Sequence, residues 1–146
     1  MASSWSVPAP HAGPGAVTVG PFVFCAGMVG LGRDGQLVLD ADGLAAEERA
    51  LGTSLDGFEG RDAVTAVQSL AALLRLKETL ALAGTTLDGL VKLTLYVGEL
   101  RDLTVFEKVR AQVLNDAELP AFECVCVRGP GPVPEANIQL EAIAVR

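Results

Sequence analysis

The chain has 146 residues, 50% of them hydrophobic and 20% charged, which suits one ordinary domain and excludes disorder along the whole length. Eleven Lys plus Arg against 18 Asp plus Glu leave a net charge of -7, and without a basic cluster that balance argues against nucleic acid as a partner. No apolar run reaches the roughly 18 uncharged residues of a membrane span, and the opening MASSWSVPAPHAGPG lacks the basic and apolar regions of a secretion signal, so a soluble cytoplasmic chain is expected.

Residues 1–14, rich in Pro, Ser, Ala and Gly, read as an extended lead-in before a single domain over 15–146. Ala16–Gly20 and Phe22–Ala26, separated by a Gly-Pro break, predict two strands joined by a tight turn. Gln36–Leu39 is expected as a short third strand. The acidic, glycine-bearing stretch from Asp40 to Gly60 reads as a mobile surface excursion with a short helix over Leu44–Leu51. A long helix over Asp62–Ala83 follows from apolar residues at helical spacing, with Gly84 placed to cap it.

Leu90–Val97 is expected as a strand with Val91, Leu93, Leu95 and Val97 on one face and Lys92, Thr94 and Tyr96 on the other. A second helix should begin near Asp102, with Thr104 and Glu107 spaced as a capping box. Phe122–Arg128 and Asn137–Val145 complete the strands. This order implies an α+β fold, one sheet with two helices on one face. Two helices cannot cover both faces, so the open one, carrying Tyr96, Phe122, Cys124 and Cys126 or their alternating neighbours, should be buried by self-association.

The cysteines Cys25, Cys124 and Cys126 are odd in number and read as reduced thiols. With His11 as the one imidazole, they fall short of a zinc ligand set, so no metal is expected.

Four segments in order resemble the reactive-intermediate deaminase (Rid, or YjgF) family. They are Gly20–Leu31, Ala83-Gly84 with Leu87–Val97, Leu119-Pro-Ala121, and Ile138–Val145. The resemblance spans roughly Gly13 to Arg146. It implies a chorismate-mutase-like fold assembled as a homotrimer around a central β-barrel, with small-molecule clefts between subunits. It also implies hydrolysis of imines or enamines to ketones and ammonia without metal or organic cofactor. Some relatives are linked to RNA cleavage or to biosynthetic steps.

In deaminating members the residue after Pro-Ala is an Arg that pairs with the substrate carboxylate; here it is Phe122. A phenyl ring cannot bind an anion, and burying one beside it is costly. A water-positioning Glu of the last strand corresponds to Gln139, whose amide orients water but cannot take its proton. Glu141 remains on the same strand face, about 6–7 Å away. The early-strand positions correspond to Ala26 and Met28, beside Cys25. The candidate catalytic residues are Gln139, Cys124 and Glu141, and the candidate ligand contacts are Phe122, Met28, Ala26, Cys25, Tyr96, Arg128 and Glu107. Each also has a plainer reading: Cys25 and Cys124 as small core residues, Glu107 as a cap, Arg128 as a surface charge, Tyr96 as core or interface.

The expected function is therefore a divergent Rid-type enzyme acting by hydrolysis or water-assisted tautomerisation on a reactive imine, enamine or activated carbonyl intermediate of a specialised metabolic or biosynthetic pathway, with the acyclic amino-acid-derived imines used by deaminating relatives as poor substrates. A non-catalytic ligand-binding or regulatory trimer and an endoribonuclease are the rival expectations. No nucleic acid, membrane or cofactor enters the main reading.

Overall fold

A computed structural model describes residues 2–5, 15–50, 55–114 and 119–146. In chain order the elements are β1 (Ala2–Trp5), β2 (Ala16–Val19), β3 (Phe22–Met28), α1 (Ala46–Arg49), α2 (Arg61–Leu82), β4 (Leu90–Val97), α3 (Arg101–Val113), β5 (Ala121–Cys126) and β6 (Ile138–Val145). The strands form one six-stranded sheet in the order β1-β2-β3-β6-β4-β5. All neighbouring strands run antiparallel except β4 and β5, which are parallel and need α3 as their crossover. Part of the stretch read as a lead-in is thus a strand, since Ala2–Trp5 pairs with Ala16–Val19; His11 lies outside the described residues.

Helix α2 ends as its sequence predicts. Gly84 has φ +87, and the Thr85 N–H donates to Leu80 O at 2.9 Å, so a residue without Cβ takes the left-handed turn that closes the helix. The middle of α2 is buried on nearly every side, Thr65 to Leu76 without interruption. The sheet covers one flank, where Val23, Leu93, Leu95, Ile138 and Leu140 join Leu70, Leu73 and Phe106 in one core. The segment after β3 covers another, and it passes so close that a Cβ on Gly30 would overlap the backbone of Gln68.

Three local expectations are corrected. Gln36–Leu39 is not a strand: a turn closed by Gly35 N–H to Gly32 O leaves only the isolated bridge Leu31–Leu37, too short for a ladder. Val91 does not join the core face, because the β4–β6 register slips between Leu90 and Lys92, and the irregularity leaves Val91 exposed. Helix α3 starts at Arg101, one residue from the expected Asp102, but without the Thr104 capping box. Thr104 is inside the helix, and the buried Asp102 carboxylate accepts from the Glu99 N–H at 3.1 Å.

The described first part of the excursion, residues 40–50, is tied to the core. Its helix is only the four residues of α1, and Leu51 lies outside the described residues. Leu44 is core, and Glu48 makes a buried ion pair with Arg75 of α2. Arg33 and Glu78 extend that pair into a four-residue network.

Candidate functional site

Strand register decides which candidates can meet. Phe122, Cys124 and Cys126 stand opposite Leu93, Leu95 and Val97, so they share the helix-covered face. Tyr96 stands opposite Gln139 on one side and Val125 on the other, which places these three on the open face. Of the alternatives the sequence leaves open, Tyr96 keeps the open face, while on β5 the alternating neighbours Glu123 and Val125 take it and Phe122, Cys124 and Cys126 do not. Parallel pairing of β5 with β4 puts 122 beside 93, an odd-numbered core position.

The helix-side group gathers at β5, beside α3. The Phe122 ring lies nearly parallel to that of Phe106 at α3, with centroids 6.2 Å apart and 6° between planes. The guanidinium carbon of Arg110, one turn further along α3, lies 5.7 Å from the Phe122 centroid. Arg110 Nη2 donates to Glu107 Oε2 at 2.6 Å. Cys124 follows on the same strand face, half-buried, and burial, then Cys126 and Glu107, raises its thiol above the ordinary range. Glu107, Phe122 and Cys124 are thus brought together as candidates. Arg110 was not singled out from the sequence; its signal was the spacing of three from Glu107 on a predicted helix.

The open-face group centres on Gln139. Between Cys25 and Met28 the β3–β6 register shifts by one residue, so that Ala26 and Gly27 together oppose Glu141. The Gln139 amide occupies the space beside this bulge: a Cβ on Gly27 would overlap its Nε2 and Cδ. A side chain at 27 would expel the amide, which is the physical reason for glycine there. Nearby on the same face, Thr94 Oγ1 donates to Glu123 Oε1 at 3.0 Å and Lys92 Nζ lies 3.0 Å from the same oxygen. The lysine ammonium and then the threonine hydroxyl lower the Glu123 carboxyl below its usual range, and Glu123 raises Lys92 in turn. Glu141 is exposed opposite Thr94.

Three candidates belong elsewhere. Met28 and Cys25 are packed in the core, because the bulge returns Met28 to the face of Leu140; burial pushes the Cys25 thiol up to about 12. Arg128 lies beyond the end of β5, about 20 Å along the strand from Phe122 at 3.3 Å per residue. There it helps line a cleft of about 220 Å³ with Arg61, Gly98, Glu99 and Asn137.

One buried polar network escaped sequence reading. Asp102, with no exposed surface, accepts from Arg61 Nε at 3.2 Å, Arg61 Nη2 at 2.7 Å and Thr65 Oγ1 at 2.9 Å. Thr65 in turn accepts from Asn137 Nδ2 at 3.0 Å. Hydrogen bonding to Asp102 raises Arg61 further above its ordinary value. The network ties the first turns of α2 and α3 to the entry of β6. Among the described residues there is no cluster of three or more His, Cys, Asp or Glu able to hold a metal, and no helix is long and apolar enough to cross a membrane.

Residues 55–146 match the family described as Endoribonuclease L-PSP. The protein mmf1, mitochondrial, of Schizosaccharomyces pombe is 34% identical over 79 residues, which is 53% of this chain and 48% of that protein; the match thus spans about half of that relative's length. Among solved structures, yeast Mmf1 superposes with a TM-score of 0.74 at 19% identity, covering 100% of this chain and 99% of that one. YyfA of Yersinia pestis, of the conserved Rid protein family, gives 0.73 at 20% identity with 100% of both chains covered. A YjgF-family member from Neisseria meningitidis gives 0.72 at 17%, covering 100% of this chain and 95% of that one. At these identities the structural likeness is one of fold, and it is the α+β fold of the YjgF proteins. With the family match extending over most of the domain, the chain belongs to the L-PSP endoribonuclease family, the Rid/YjgF proteins.

Proposed function

We propose that this chain is a small-molecule enzyme of the Rid type that hydrolyses a reactive imine or enamine in a cleft between copies of itself. The observation that carries this reading is the division of the candidate residues. Phe122, Cys124, Glu107 and Arg110 stand on the helix side of the sheet, at β5. Gln139 and the Ala26–Gly27 bulge belong to the open face. One chain cannot bring the two groups into one pocket through its own sheet, whereas a second copy docked on the open face can.

That face also has reason to be covered. Val19, Phe22, Phe24 and Val125 expose large apolar side chains on it, with Phe22 and Phe24 each 45% exposed. A homotrimer around a central barrel is the assembly that the resemblance implies.

The reaction needs little apparatus. Water adds to the imine carbon, the C–N bond breaks, the two water protons pass to nitrogen, and ketone plus ammonia leave. The Gln139 amide, held over the Gly27 bulge, would orient that water. Cys124, with its thiol kept protonated, would form a neutral wall, and Phe122 would contact an apolar or aromatic substrate body.

The test is to generate 2-imino acids in situ from phenylalanine, leucine and 2-aminobutyrate with an amino-acid oxidase and to time ketone release. Acceleration of the imine derived from phenylalanine, lost in Gln139→Ala, is expected, with the small imine from 2-aminobutyrate a poor substrate. No acceleration of any imine by a folded, assembled protein would leave the non-catalytic reading, which the neutral side chains at 122 and 139 favour. Its signature is tight ligand binding without turnover.

A further inference from the structure

We infer that the cleft at the end of β4 and β5 is a second binding site, separate from the one proposed above, and that it takes a small amino acid in its zwitterionic form. The inference rests on neither the imine chemistry nor the docking of copies.

The cleft, of about 220 Å³, lies where β4 and β5 end and α2 and α3 begin. At about 30 Å³ per water it has room for about seven water-sized groups, the size of alanine, serine or threonine. None of Phe122, Cys124, Gly27 and Gln139 lines it.

Its polar groups are of both signs. Arg61 is gripped by the Asp102 carboxylate through Nε and Nη2, at 3.2 and 2.7 Å. A guanidinium offers five N–H groups, so the Nη1 donors are unused among the described residues. The Arg128 side chain, two residues past β5, makes no ion pair or hydrogen bond to any described residue. Glu99, between β4 and α3, places Oε1 3.5 Å from Arg61 Nε while its side chain stays 51% exposed. The Asn137 amide is oriented by Nδ2 donating to Thr65 Oγ1 at 3.0 Å, which leaves Oδ1 as an acceptor.

A ligand of one sign fits this lining poorly. With the buried Asp102 counted, two guanidinium charges stand against two carboxylates. An anion drawn to the arginines would meet Glu99, and a cation drawn to Glu99 would meet the arginines. A zwitterion satisfies both, its carboxylate on Arg128 and Arg61 Nη1 and its ammonium on Glu99 and Asn137 Oδ1. Arg101, the other arginine at this end, is held by Asp62 at 2.8 Å.

The frame is also stiff. Gly129, at φ +62, turns the chain between Arg128 and Pro130, and Pro130 and Pro134 fix the rim. Gly98 gives the wall bare backbone: a Cβ there would stand 3.3 Å from Arg61 Nη2 and 3.6 Å from Pro130. Little ordering is left to oppose binding.

The probes are L-alanine, propionate and L-alaninamide, followed through the backbone amide resonances of Gly98 and Gly129 in the isotope-labelled, assembled protein. Alanine should shift both saturably and bind at least ten times more tightly than propionate, which lacks the ammonium, or alaninamide, which lacks the carboxylate. Arg128→Gln should bring alanine down to the level of alaninamide, and Arg128→Lys should keep part of the preference. Glu99→Gln should bring alanine down to the level of propionate while tightening propionate itself, a crossover that merely structural charges would not produce. Gly98→Val, which keeps every polar side chain and fills the space between Arg61 and Pro130, should remove binding.

Equal binding of the three probes, no saturable shift at Gly98 and Gly129, or shifts centred on Gly27 instead would each overturn the inference. Undiminished alanine binding in folded Arg128→Gln or Glu99→Gln would do so too. Imine hydrolysis without alanine binding would remove this site and leave the function proposed above intact; alanine binding without imine hydrolysis would do the reverse.

Discussion

Glu48→Gln is the substitution whose consequences the structure defines most closely. Glu48 and Arg75 have side chains 4% and 2% exposed and form a direct ion pair. Removing one partner of a buried pair generally costs about 3–5 kcal/mol, because the other charge is left without water or counter-ion. Glutamine keeps the shape, and its Oε1 can still accept the Ala45 N–H that Glu48 now receives at 3.2 Å. Glu78 also remains, with Oε2 3.3 Å from Arg75 Nε, although Nε makes no hydrogen bond of proper geometry to it. The cost should therefore fall at or below the lower end, about 2–3 kcal/mol, or roughly 5–10 °C in Tm for a chain of this size. Urea unfolding at fixed protein concentration measures it. Amide exchange over 44–50 should accelerate more than exchange in α2, since α1 is what the pair holds down. Glu48→Leu combined with Arg75→Leu should return most of the stability, because two apolar side chains leave no orphaned charge. A cost under about 1 kcal/mol for Glu48→Gln, or a double variant no more stable than the single one, would refute the view that this pair anchors the excursion.

Asp102→Ala removes the acceptor for two Arg61 bonds, the Thr65 hydroxyl and the Glu99 N–H; because Arg61 is a third exposed and can be rehydrated, about 3 kcal/mol is expected in urea unfolding, and Arg61→Gln should cost less. Cys25 has its thiol raised from 9.0 to about 12 by burial. The folded state therefore keeps a proton that the unfolded state releases, so this contribution is fully present below pH 9 and is lost as pH rises toward about 12. Between pH 8.5 and 10.5 wild type should lose about 2 kcal/mol more stability than Cys25→Ala, and parallel losses would sink the assignment. Phe24→Glu, in the exposed apolar face, should shift the assembly to monomer in light scattering; an unchanged oligomer would mean that this face is not the interface.

Much of the fold was legible because its cues are periodic. The apolar spacing of α2, its glycine stop and the alternation along β6 survive into the structure almost residue for residue. What failed were features set by neighbours in space. Val91 obeys alternation in sequence but sits at a register irregularity against β6. Thr104 and Glu107 have the spacing of a capping box, yet the buried Asp102, held from α2 by Arg61 and Thr65, coincides with a helix start three residues earlier. The excursion reads as mobile on composition, but a charge opposite Glu48 inside a long helix ties it down, and no local pattern announces that pairing.

The site shows the same limit in its chemistry. Taken along β5 and β6, Phe122 and Gln139 read as a pocket stripped of its charges. Parallel pairing of β5 with β4, however, turns Phe122 toward α3, and there the neutral ring meets an arginine and a glutamate supplied by a helix. A cation and a carboxylate of α3, Arg110 and Glu107, thus lie beside the strand. A strand-by-strand reading cannot find them, because a side chain's function depends on the volume it reaches and not on the strand position it fills. Helix α3 can take over that volume because an arginine stem spans the distance to β5 while its head stays paired with Glu107 one turn back. The surroundings of Phe122 are thus set by α3 as much as by its own strand, and alternation along β5 alone misplaces it.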